Sequence, residues 1–201
     1  MEFFLRARGA PRRLGILPGT FHPPTRAHLA LARAGLELVD EVVFVLPREL
    51  PHKRYEGVGF ADRIRILKAA LAGQPRFSLA AAEGGLFLEI ARECRQAYGP
   101  ETELAILCGR DAAERIVNWD YGRPGAIGEM LEEFELLVAA RGGDYQAPSP
   151  LRTRIHPLSI PAEYDGVSAT EVRRRIAAGE EWESLAPEAA APLIRELYRP
   201  T

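Results

Sequence analysis

The chain has 201 residues, 47% of them hydrophobic and 27% charged, with a formal net charge of −2 at pH 7. That length suits one α/β domain with a small appendage, the composition supports a buried core, and the near-balanced charge excludes a global field for nucleic acid. No apolar run approaches the ~20 residues of a membrane span. The two cysteines, Cys94 and Cys108, lack metal-like companions and fit a reducing cytoplasm rather than a disulfide scaffold.

In chain order, residues 1–12 carry Arg6, Arg8 and Arg12 and read as a poorly ordered or surface lead-in. The apolar run behind them, 14–17, is too short for a signal-peptide core of ~7–15 residues. Strands are predicted at 14–17, 42–46, 76–80, 104–108, 136–140 and 154–158. Helical periodicity falls between them at 27–38, 61–71, 87–98, 112–117 and 126–134, and continues at 168–178 and 187–198. Val42-Val43-Phe44-Val45-Leu46 and Leu104-Ala105-Ile106-Leu107-Cys108 are apolar throughout, as strands covered on both faces of a parallel sheet should be. Alternation of this kind predicts an α/β fold, a doubly wound parallel sheet over 13–166, with a C-terminal helical segment at 167–201 in the same single domain. The long polar loops 47–59 and 142–150 are candidate lids or binding elements.

The most informative stretch is Gly19-Thr20-Phe21-His22-Pro23-Pro24-Thr25-Arg26-Ala27-His28. A strand that feeds a Gly/Pro turn into a helix start builds a pocket of backbone N–H groups at the positive end of a helix dipole, which suits a phosphate. A His one turn into that helix aims a proton donor at the same anion. Far along the chain, Ser168-Ala169-Thr170-Glu171-Val172-Arg173 opens a second helix with hydroxyls and a cation.

These two motifs, in this order, resemble the HxGH/TxGH nucleotidyltransferase superfamily, most closely the bacterial nicotinate-mononucleotide adenylyltransferases. Pro51-His52-Lys53, Gly109-Arg110-Asp111, Trp119 and Arg141-Gly142 also stand in that family's order, so the resemblance spans nearly the whole chain. It implies a Rossmann-like nucleotidyltransferase fold and in-line attack of an acceptor phosphate on the α-phosphorus of ATP, with pyrophosphate leaving and no covalent enzyme intermediate. On this reading Gly19, Thr20 and Phe21 form the phosphate cradle, His28 donates to the α-phosphate, and the Thr25 hydroxyl reaches the same oxygens. Ser168 and Thr170 bind the β- and γ-phosphates, with Arg173 on the same anion. Gly109 and Asp111 lie beside adenosine, although Asp111 also reads as the N-cap of the next helix. Lys53, Trp119 and Arg141 contact the acceptor. Magnesium is implied by the triphosphate, because no carboxylate cluster looks like a dedicated metal site.

The chain departs from the family pattern at three places. His22 replaces an Asp, Ala27 replaces a Gly, and Glu83-Gly84-Gly85-Leu86-Phe87-Leu88-Glu89-Ile90 carries none of the hydroxyls that relatives place ahead of this helix. The acceptor implied is nicotinate mononucleotide. Nicotinamide mononucleotide, phosphopantetheine or another phosphorylated metabolite stays open, as does a non-catalytic nucleotide-binding module.

Overall fold

A computed structural model describes residues 1–49, 57–139 and 145–199. Seven strands form one sheet in the order β1-β4-β3-β2-β5-β6-β7. They are β1 (Glu2–Leu5), β2 (Arg13–Pro18), β3 (Glu41–Pro47), β4 (Phe77–Ala82), β5 (Glu103–Gly109), β6 (Glu135–Ala139) and β7 (Ile155–Leu158). All neighbours run parallel except β1, which pairs antiparallel with β4. The helices are α1 (Arg26–Gly35), α2 (Phe60–Ala70), α3 (Phe87–Tyr98), α4 (Arg110–Val117), α5 (Ala126–Glu133), α6 (Ala169–Ala178) and α7 (Ala191–Leu197).

Successive residues of a strand point to opposite faces, and both faces are covered. One core joins Ile16, Val43, Ile106 and Val138 to Ile90, Cys94, Ala113 and Leu131 of α3, α4 and α5. The other joins Leu17, Phe44, Leu107 and Leu137 to α1 and α2. The strand order reverses at β2, whose two neighbours are β3 and β5. In an open parallel sheet, ligands bind outside the carboxyl ends of the strands at such a reversal.

Two expectations need correction. The start of the chain is no lead-in: Glu2–Leu5 caps the sheet edge, with the Phe3 ring edge-on to Tyr98 at 5.6 Å and the terminal ammonium 3.2 Å from Glu93. Four residues with a register break between Phe3 and Leu5 are too short and irregular to show a period. The helix placed at 112–117 begins at Arg110, with Gly109 as its N-cap, so Asp111 lies in the first turn and is not the cap.

The C-terminal segment packs on α2. Ile66 and Ala70 of that helix meet Val172, Trp182, Ala190 and Ile194 in a third, small core. On the same face of the sheet, α1 packs close against β5. A Cβ added at Gly35 would sit 2.4 Å from Cδ2 of Leu107, a side chain with no exposed surface. Gly35→Ala should therefore overpack this contact and lower stability by about 1–3 kcal/mol, read as a fall in the urea midpoint without a change in slope.

Candidate active site

A cavity of about 260 Å³ opens at the reversal point of the sheet. Leu17 and Pro18 end β2 on its floor, and Leu107, Cys108 and Gly109 end β5. Thr25, Ala27, His28 and Leu31 line it from α1, while Val167, Ser168 and Ala169 bring the start of α6 to the same space. The two motifs lie about 140 residues apart in the chain, and the fold brings them to one cavity. Its walls are otherwise largely apolar, with Phe87, Ala112, Ala139 and Ile160 facing in.

His28 is the third residue of α1, so its ring folds back over the N-terminus of its own helix. The backbone N–H of Thr25 donates to His28 Nδ1 at 2.9 Å, and Thr25 Oγ1 stands 2.8 Å from the same nitrogen. An amide cannot accept, so Nδ1 is the unprotonated nitrogen and the neutral ring carries its proton on Nε2, away from Thr25. The Thr25 side chain has no exposed surface, and its hydroxyl is engaged with the imidazole.

The turn before α1 is held by two arginines, one of them buried. Arg63 of α2, only 5% exposed, donates to the Thr20 carbonyl at 3.0 Å. Arg173 of α6 donates to the His22 carbonyl, and its second nitrogen is 3.5 Å from Thr170 Oγ1. Between these clamps Phe21 adopts φ 46°, a left-handed conformation that costs a non-glycine residue about 1 kcal/mol. Its ring is buried, edge-on to His28 at 5.2 Å and tilted against Phe44 at 5.7 Å, so the unusual backbone is stabilised by packing. Gly19 allows it, since a Cβ there would press on the Phe21 ring at 3.1 Å.

His22 sits in the same turn. Its Nδ1 is 2.6 Å from the Tyr198 hydroxyl. Burial, then the charges of Arg173 and Arg63, lower its pKa from 6.5 to about 4, so the ring is neutral near pH 7. At α6, Ser168 is the N-cap and its Oγ accepts from the Glu171 amide at 3.1 Å. The Glu171 carboxylate turns outward to Arg174 and Arg175, both at 2.8 Å, which removes its negative charge from the helix mouth. Burial raises the pKa of Cys108 to about 12, so this wall residue is a protonated thiol and no nucleophile.

The structure thus brings Thr25, His28, Ser168 and Gly109 to one cavity, with Arg173 bracing the turn beside it. Gly19, Thr20 and Phe21 shape the turn from behind and are not part of the cavity wall, and Phe21 is a core residue. Asp111 is exposed and Trp119 half exposed, on α4 and on the segment after it, outside the wall. Lys53 and Arg141 lie outside the described residues. The turn ahead of α3 directs its amides to its own carboxylates, Glu83 and Gly84 to Glu93 at 2.9 and 3.1 Å and Leu86 to Glu89 at 3.0 Å. Arg63 and Tyr198 were not singled out from the sequence. Arg63 had a signal: it shares the i, i+3, i+4, i+7 stripe of α2 with Ile66, Leu67 and Ala70.

A doubly wound sheet with two helix N-termini facing one cavity at its switch point defines a nucleotide-binding α/β protein. Comparison with known sequences narrows this, for the profile described as cytidylyltransferase-like matches residues 16–175, and the chain belongs to that nucleotidyltransferase family. A Moorella thermoacetica protein named "Probable nicotinate-nucleotide adenylyltransferase" is 31% identical over an alignment that spans 94% of this chain and 93% of that protein. A Thermus thermophilus protein of the same name is also 31% identical, over 93% of this chain and all of its own. The fold is shared with the Plasmodium falciparum nicotinic acid mononucleotide adenylyltransferase solved with NaAD, at TM-score 0.68 and 16% identity, over 92% of this chain and 97% of that one. A Vibrio parahaemolyticus putative nicotinate-nucleotide adenylyltransferase matches at TM-score 0.65 and 15% identity, over 94% and 96%.

The lowered pKa of His22 makes a stability prediction. Between about pH 4 and 6.5 the unfolded chain holds a proton on this ring that the folded chain does not, so stability falls as pH drops through that window. In urea titrations, His22→Asn should flatten the fall by up to about one proton. Equal slopes for the variant and the wild type would contradict the assignment.

Proposed function

We propose that the protein is an adenylyltransferase that moves AMP from ATP to nicotinate mononucleotide and releases pyrophosphate, a step of NAD synthesis. The single observation that carries this reading is the shared cavity, with His28 at the start of one helix and Ser168 at the start of another. The named relatives at 31% identity over nearly their full length supply the acceptor.

An oxygen of the acceptor phosphate attacks the α-phosphorus in line. As that bond forms, the bond to the bridging β-oxygen breaks and pyrophosphate departs. Charge collects on the non-bridging oxygens, and donors already in place there lower the barrier without reorganising. The Nε2–H of His28 is the donor to those oxygens. The first-turn amides of Ala169 and Thr170 have no acceptor within their helix and point at the mouth, where a triphosphate tail meets the positive end of the dipole. Ser168 Oγ accepts from Glu171, which leaves its hydroxyl proton to donate. Arg173 has five N–H donors and spends one on the His22 carbonyl and one on Thr170 Oγ1, which leaves others for the anion while it braces the turn. Magnesium enters as part of the substrate, bound to the triphosphate. Among the described residues no group of three or more His, Cys, Asp or Glu could hold a metal.

The apolar wall of Leu31, Leu107, Ala139 and Ile160 suits a planar base. Lys53, Trp119 and Arg141 remain the proposed contacts to the acceptor, and Asp111 to adenosine. A second reading keeps the chemistry with another phosphorylated acceptor. It is favoured by the turn at 83–86, which has no side-chain hydroxyl and already commits the amides of Glu83, Gly84 and Leu86. A cytoplasmic location accompanies the use of ATP. Among the described residues no helix is long and apolar enough to cross a membrane.

Pyrophosphate release with ATP and a panel of mononucleotide and phosphoester acceptors tests the reading. Turnover on nicotinate mononucleotide is expected, and none on any acceptor would refute it. His28→Ala should lower kcat by ~10²–10³ while ATP binding stays within about tenfold, as for loss of one oxyanion donor. Arg173→Ala should raise the KM for ATP about tenfold. An unchanged KM would remove this residue from the phosphate site.

A further inference from the structure

His22 is gripped from three directions. Arg173 of α6 donates to its carbonyl, the Tyr198 hydroxyl meets its Nδ1 at 2.6 Å, and Gly57 lies against the Cε1–Nε2 edge of its ring. A Cβ at Gly57 would stand 2.8 Å from Cε1 and Nε2 of the imidazole, so glycine there permits the closest approach, in a backbone conformation (φ +124°) that favours it. Tyr198 caps the C-terminal end of α7, and the two rings lie 5.0 Å apart, tilted by 41°.

The chain from His22 to the cavity is short and stiff. Pro23 and Pro24 follow, both buried, and each proline ring fixes its own φ near −65°. Thr25 comes next, and its amide is the group that selects the unprotonated nitrogen of His28. A displacement of His22 therefore has two rotatable φ fewer in which to dissipate before it reaches that amide. Meanwhile α7 is anchored by Ala191 and Ile194 in the small core with α2, the helix that carries Arg63. The last helix and the first phosphate turn are thus joined twice over the same body.

We propose that Tyr198 is a positioning residue for the transfer reaction: its hydroxyl seats His22, and through Pro23 and Pro24 it holds Thr25 and His28 in register with the cavity. Tyr198 touches no reacting atom. The inference rests on the adenylyltransferase reading for its kinetic test and on the structure alone for a second one.

Tyr198→Phe keeps the ring and removes one hydrogen bond, for which a fall in Tm of about 2–4 °C is expected in a chain of this size. We expect kcat to fall about three- to tenfold, with the KM values for ATP and acceptor within twofold of wild type. In a His28→Ala background the same substitution should cost nothing further, because there is no imidazole left to place. In the unliganded variant, amide exchange at Phe21, His22 and Thr25 should speed up about tenfold, with the sheet amides unchanged. A wild-type kcat in Tyr198→Phe would overturn the proposal, as would an equal loss in the presence and absence of His28. Failure of the wild type on every acceptor would instead sink the adenylyltransferase reading. The exchange measurement would then still decide, since unchanged protection across 19–25 means that the hydroxyl holds nothing.

Discussion

A backbone amide decides the chemistry of the imidazole at the cavity. The Thr25 N–H can only donate, so the nitrogen it meets on His28 must accept, and the proton moves to the far side of the ring. Everything needed to make that contact is local and costly. The turn bends through a left-handed Phe21, two prolines stiffen it, and its carbonyls at Thr20 and His22 are each taken by an arginine from a different helix. A side chain that merely lay near the cavity would sample several rotamers. This one is held by a group that does not move with it.

The arginines also set the electrostatics. Burial first, and then the two guanidinium groups beside the turn, disfavour added positive charge on His22 and keep its ring neutral. The same field, with two helix N-termini, prepares the cavity for a polyanion before one arrives. The chain as a whole is slightly acidic, so this preparation is local and has no counterpart in the net charge. The nearest carboxylate on α6, Glu171, is neutralised by its own neighbours.

Much of this was legible in the sequence. Continuous apolar runs at β3 and β5 announced a sheet covered on both sides, and the strand–turn–helix read from 14–17 and 27–38 announced where the cavity opens. The two motifs identified the helix starts that meet. What the sequence hid was geometry that depends on distant partners. Arg63 stands on the apolar stripe of α2, but its partner shows only once the turn at Thr20 is folded against it. Tyr198 reads as a terminal aromatic until α2 carries α7 to His22. The contact between the Thr25 hydroxyl and the imidazole of His28 was not foreseen, because a hydroxyl beside a phosphate motif has two possible partners and only the fold sets this one at 2.8 Å. β1 was missed because four residues with a broken register have no period to detect.

The central claim is that His28 presents its Nε2 proton to a nucleotide phosphate because Thr25 holds Nδ1. Long-range ¹H–¹⁵N NMR of the imidazoles, in the unliganded protein and with a non-hydrolysable ATP analogue, tests it directly. The account predicts a bare Nδ1 and a protonated Nε2 at neutral pH, with the analogue moving the Nε2 resonance and leaving Nδ1 unprotonated. A proton on Nδ1, or an Nε2 signal indifferent to the analogue, would contradict it.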